Sequence, residues 1–175
     1  VCEEVFRLFP YGHSSEAFKL MYEVGMLGDL LPELAKAIAK DGGKRSVAFK
    51  YLKVLDDYEK MMSEKGFEVS NAIRAAVLMA LVVKNERKDG ASRRVMQTML
   101  QSLKIPKATY FTATTLLESS KRLSVPPSKG KIRFIYNRDF LDALDFNRII
   151  LRAGKRDESA LDEWAKLYEA KGNEE

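Results

Sequence analysis

"NAIRAAVLMALVV", residues Asn71 to Val83, decides the fold. Only Asn71 and Arg74 interrupt an otherwise apolar run. A helix that is apolar on every side must be covered on every side. The stretch therefore predicts a central helix, opened by Ser70 or Asn71, with other helices packed around it. Its longest apolar run, Ala75 to Val83, falls well short of the roughly 18 residues that a membrane span needs.

Working outward, the flanking segments repeat their apolar residues at helical spacing. Upstream, Ser46 starts "VAFKYLKVLDDYEKMM", with Phe49, Leu52 and Leu55/Tyr58 in phase and Gly66 closing it. Asp56, Asp57 and Glu59 in that segment are expected on its solvated face. Before it, Pro32 takes the first position of "PELAKAIAK", where its missing N–H costs nothing, and Asp41-Gly42-Gly43 stops the helix. "MLGDLL" reads as a short turn. Ser14 or Ser15 is expected to cap "SEAFKLMYEV", where Phe18, Met21 and Tyr22 share a face and Gly25 offers a C-cap. Downstream, "NERKDGAS" is a loop and Ser92 caps "RRVMQTMLQSL". "KIPK" leads to "ATYFTATTLLESSKRL", rich in Thr but helical by its Tyr110, Ala113, Leu117 spacing. "SVPPSKGK" is a linker. Asn137 is expected to cap a helix from Arg138 to Arg152, and Asp157 one over "ESALDEWAKLYEA". No hairpin signal and no fixed-period repeat occurs. The fold class is all-α: an irregular bundle of about nine helices, with room for two lobes. These would be a body over 1–103 and a basic tail over 104–175, with a linker near 124–131 and an acidic C-terminus.

Charge is unevenly spread along the 175 residues, whose formal net charge is +5. Residues 1–92 hold 14 basic and 14 acidic side chains; residues 93–156 hold 14 basic against 4 acidic; residues 157–175 hold 2 against 7. An excess confined to one segment points to an anionic partner, with a solvated face balanced by the tail as the plain alternative. Catalytic chemistry finds little footing. His13 is the one His and Cys2 the one Cys, so neither a zinc site nor an internal disulfide can form, and a reducing cytosol is expected. No Walker A or GxGxxG loop occurs. Asp139, Asp142 and Asp145 step by three along one helix, but Arg138–Asp142 and Asp145–Arg148 are expected to pair as surface ions rather than hold Mg²⁺. No catalytic and no metal residue is assigned.

The basic residues form a better pattern. "PPSKGKIRFIYNRDF", Pro126–Phe140, interleaves Lys129, Lys131, Arg133 and Arg138 with Phe134, Tyr136 and Phe140. Cations meet phosphates and rings stack on bases, which suits a nucleic-acid strand. Phe134 and Phe140 are expected in the core; Tyr136 could serve either purpose. Arg148 and Arg152 continue the cationic side of the following helix, and Lys104 and Lys107 flank Pro106. These nine residues (Lys104, Lys107, Lys129, Lys131, Arg133, Tyr136, Arg138, Arg148, Arg152) are the candidate RNA contacts. No RRM, KH or zinc-finger motif is present, so shape rather than sequence would be read, with no DNA specificity.

Three stretches together resemble one enzyme family. "EAFKLMYEVGMLGDLLPEL" (Glu16–Leu34) is similar to the helix pair that follows the catalytic region in bacterial poly(A) polymerases and the related tRNA CCA-adding enzymes. "LKIPKATYFTATTLL" (Leu103–Leu117) resembles the family's "L.IP+" junction, and "KGKIRFIYNRDFLDALDFNRIILRA" (Lys129–Ala153) its basic C-terminal segment. Their succession, with the IP and LRA elements, favours poly(A) polymerase. The resemblance implies transfer of AMP from ATP to an RNA 3′ end with Mg²⁺, by an N-terminal head carrying a Gly-Ser motif and paired carboxylates. None of that head lies in this sequence, which begins at Val1 without Met and reads as a fragment of something longer. Its catalytic residues map to nothing here. ATP and Mg²⁺ would belong to the longer parent, and the helical body and tail, inert alone, would hold the RNA. A CCA-adding enzyme body, or a helical scaffold for an acidic protein, are the alternatives.

Overall fold

In the computed structural model, which describes residues 2–84, 91–130 and 132–172, the described residues form ten α-helices and two short 3-10 turns and no strand. The chain is all-α. In order the helices are α1 (Cys2–Phe6), α2 (Ser14–Glu23), α3 (Met26–Leu30), α4 (Pro32–Lys40), α5 (Ala48–Glu64), α6 (Asn71–Val83), α7 (Ala91–Leu103), α8 (Lys107–Leu123), α9 (Phe140–Ala153) and α10 (Ser159–Gly172). Two helices lie outside the expected segments: α1, and α3, where "MLGDLL" closes a full helical turn. No helix of the described residues is long and apolar enough to cross a membrane.

The apolar run forms the centre, as its composition requires. Ala72 to Met79 are all buried, and α6 packs against α4, α5, α7, α8 and α9. Ser70 caps it, accepting from the Ile73 N–H at 3.3 Å while its own hydroxyl donates to Asp142 Oδ2 at 2.7 Å. One serine thus ends the loop before α6 and ties α6 to α9. A continuous core runs from Val5 through the α6 side chains to Trp164, crossing residue 104 without a break. Gly25 sits at φ 82°, a left-handed value that glycine adopts without penalty, and this turns α2 into α3. Pro32 holds the first turn of α4.

Several charged residues differ from expectation. Asp56 and Glu59 are 1% and 3% exposed, and only Asp57 of that trio faces solvent. Asp56 receives the Ser14 N–H at 2.8 Å, the Ser14 hydroxyl at 2.6 Å and the Ser15 N–H at 2.9 Å. It therefore caps α2 from 42 residues away, and neither serine hydroxyl acts as the local cap. Glu59 grips Arg74 through two bonds, Nε to Oε1 at 2.6 Å and Nη2 to Oε2 at 3.0 Å, while Arg74 Nη1 reaches Asn71 Oδ1 at 2.7 Å. The one cation in the apolar helix is thus neutralised inside the fold. The expected Arg138–Asp142 and Asp145–Arg148 pairs do not form. Asp142 accepts from Ser70, Asp145 is half-buried beside Tyr58, and Arg138 turns to Asp139 at 3.4 Å. Helix α9 starts at Phe140, two residues later than expected, because Asn137 Oδ1 accepts the Asp139 N–H at 3.0 Å in a local turn. Asp157 does open α10, accepting from both the N–H and the hydroxyl of Ser159. The expected Ser92 cap falls on a side chain outside the described residues.

Candidate nucleic-acid interface

The nine candidate residues fall into three places. The first is the α7–α8 junction. Lys104 stands at φ 53°, a left-handed value unusual for lysine, where α7 ends before Ile105 and Pro106 turn the chain into α8. Ile105 is buried, so the turn is anchored while Lys104 and Lys107 stay exposed. Lys104 lines a groove of about 550 Å³ with Phe6, Arg7 and Pro10 from α1 and its exit. Arg7 was not among the sequence candidates. Its ion pair with Glu4, at 3.1 Å, is well exposed, so the guanidinium remains accessible from solvent.

The second place is the segment before α9. A 3-10 turn over Ile132–Tyr136 is pinned by Phe134 and Ile135, which are 8% and 2% exposed. The Phe134 ring meets Phe140 edge-on at 5.6 Å and Trp164 at 6.3 Å, and Arg122 caps its outer face at 4.6 Å. Trp164 donates its indole N–H to the Val125 carbonyl at 2.9 Å, fixing the linker beside this cluster. With the adjacent Phe134 and Ile135 buried, the flanking Arg133 and Tyr136 are exposed, Tyr136 at 66%. Tyr136 and Arg138 line a pocket of about 270 Å³ with Asn137, Leu141, Tyr168 and Lys171. Lys129 and Arg133 are exposed and carry no ion pair with the described residues. Lys131 lies outside the described residues.

The third place is the α9–α10 face, and there the charge is already matched. Arg148 Nη1 donates to Glu158 at 2.8 Å and to Asp162 at 3.0 Å, and Arg152 Nε donates to Glu158 at 2.9 Å. Burial works against the Arg148 charge, but these two carboxylates more than offset it and its pKa is raised. Electrostatically, Arg148 and Arg152 are committed to holding α10 against α9. The acidic tail seen in the sequence is their counterpart.

The fold therefore groups Arg133, Tyr136 and Arg138 with Lys129 nearby on the same segment. It sets Lys104 and Lys107 apart, at the opposite end of α8. That helix has 17 residues, a length of about 25 Å at 1.5 Å per residue. Such a spacing fits two separate contacts along an extended strand better than one compact site.

No curated protein and no solved structure matches the chain. Residues 1–38 match the family described as "Probable RNA and SrmB- binding site of polymerase A", a stretch that spans α1, α2, α3 and most of α4. It contains the Glu16–Leu34 resemblance and the α1 side of the groove that Lys104 enters. Over residues 1–38 this match supports a poly(A) polymerase-related RNA-binding region, with RNA as the partner.

Proposed function

We propose that these 175 residues are the RNA-holding helical body and tail of a poly(A) polymerase, whose separate catalytic head adds AMP from ATP to the RNA 3′ end. In this reading Lys129, Lys131, Arg133, Tyr136 and Arg138 hold one part of the strand, and Lys104 and Lys107 hold another. Arg148 and Arg152 act indirectly, by fixing α10 behind the first contact. The observation that carries the reading is the match of residues 1–38; in it the strand would lie along the exposed cations at either end of α8. An untemplated polymerase must place its primer without reading it, and phosphate contacts position a strand in that way. ATP and Mg²⁺ are assigned to the head, and the cytoplasm is its compartment.

Fluorescence anisotropy of the chain with an oligoadenylate and a mixed-sequence RNA tests this. Six phosphate contacts to a single strand give a log–log salt slope of about −4, or about a 300-fold loss between 50 and 200 mM salt. The double substitution K129A/R133A should bring the slope to about −3 and weaken both RNAs alike. An affinity indifferent to salt, or a substitution effect confined to one sequence, overturns the reading. A transfer RNA that outcompetes both oligonucleotides would point to CCA addition instead.

A further inference from the structure

A second cleft, of about 450 Å³, opens where the C-terminal ends of α6 and α9 meet α5. Its apolar wall is Ala80, Leu81 and Ile150, and its polar side chains are Tyr51, Lys84 and Arg156. None of these belongs to the surface assigned above. Lys84 Nζ donates to the Tyr51 hydroxyl at 3.5 Å and lies 4.9 Å from the ring centre. Tyr51 is only 6% exposed, and among the described residues its own O–H proton has no acceptor. A Cβ placed on Gly154 would stand 3.4 Å from that hydroxyl and 3.1 Å from Arg156 Nε. Phenol, ammonium and guanidinium therefore converge on one spot, which the missing side chain of Gly154 leaves open.

All three groups can donate, and no carboxylate among the described residues lines the cleft. Lys84 and Arg156 likewise make no ion pair among the described residues. The partial negative charge of a helix C-terminus explains a cation near each helix end. It does not explain a buried hydroxyl set beside both cations, which accepts from Lys84 and donates to no acceptor among the described residues. Two cations and a phenol complement a phosphate monoester, which carries roughly −1.5 to −2 charge near pH 7 and three acceptor oxygens. The adjoining apolar wall suits an organic group attached to that phosphate.

We propose that this cleft binds a phosphate monoester borne on a nucleoside, presented either by a free mononucleotide or by the phosphorylated end of a polynucleotide. Arg156 and Lys84 balance the dianion, and the Tyr51 hydroxyl donates to a phosphate oxygen. The nucleoside lies along Ala80, Leu81 and Ile150. Calorimetric titration of the whole chain with AMP, and with adenosine as the unphosphorylated control, tests this. AMP should bind and adenosine should not at the same concentrations. R156Q should weaken AMP by about tenfold or more, since charged hydrogen bonds are the strong ones. Y51F, which removes one oxygen from a buried ring, should weaken it by about fivefold. K129A/R133A should leave AMP binding unchanged while reducing RNA binding, so this site and the RNA surface can fail separately. A short oligoribonucleotide with and without a terminal phosphate separates the sources. A gain from the phosphate that R156Q abolishes assigns a polynucleotide end; a response to AMP alone assigns a free nucleotide. Equal response to AMP and adenosine, or unchanged AMP affinity in folded R156Q and Y51F, overturns the proposal.

Discussion

The α5–α6 interior and the segment before α9 use the same residue types to opposite ends. Inside, Arg74 and Glu59 are each 2–3% exposed and close on one another through two short bonds, while Asp56 caps a distant helix. Outside, Lys129 and Arg133 stand in solvent with no carboxylate among the described residues to meet them. Between these extremes lie Arg148 and Arg152, accessible yet already paired. A charge that the fold has enclosed serves architecture. Only one that the fold has left unmatched is available to a phosphate.

That contrast can be broken most severely at Arg74. R74M should cost about 3–5 kcal/mol, because it strands the Glu59 carboxylate in a dry interior. Urea denaturation measures it, and a loss below about 1 kcal/mol would mean that the pair is not enclosed. The double change R74M/E59L should recover most of the loss, since replacing both partners removes the orphaned charge. At Asp56 the expectation is smaller: D56A should cost about 2 kcal/mol, the upper range for a helix cap, and amide exchange should quicken first in α2.

The smallest of these effects is a matter of pH. Burial raises the pKa of Asp145, with the Tyr58 hydroxyl and Arg148 pulling the other way, and burial also raises that of Tyr58. A carboxyl whose folded pKa exceeds its unfolded value binds its proton more tightly in the folded state. Its ionisation therefore costs stability as pH rises from the ordinary carboxylate range through the raised value. D145N lacks that cost. Thermal melts of D145N and the parent should accordingly move apart in the variant's favour between pH 3 and pH 7. A constant difference across that range would show that Asp145 is solvated.

Local signals of known range were legible in the residues. The Ser70 cap, the Pro32 start, the Asp157 turn and the helical reading of the Thr-rich α8 each depend on contacts within about four positions. The burial of Phe134 and Phe140 was expected too, although the Trp164 ring that both meet lies 30 and 24 residues away. The errors share a different cause. Asp56 and Glu59 follow the pattern of a surface stripe, and the partners that enclose them lie 42 and 15 residues away. Arg148 carried helix-surface spacing to Asp145 but found Glu158 just before α10 and Asp162 within it. Tyr51, Lys84 and Arg156 left no sequence signal at all, because three separate elements bring them together.

By itself, the sequence determined the class of fold, the central place of residues 71–83, and the segment in which positive charge exceeds negative. Those follow from apolar period and composition, which act through short range and through sums. Tertiary structure alone decided which charges are spent and which are free. That outcome depends on desolvation and on partners within 4 Å, and only the packing of helices remote in the chain brings such partners to one place.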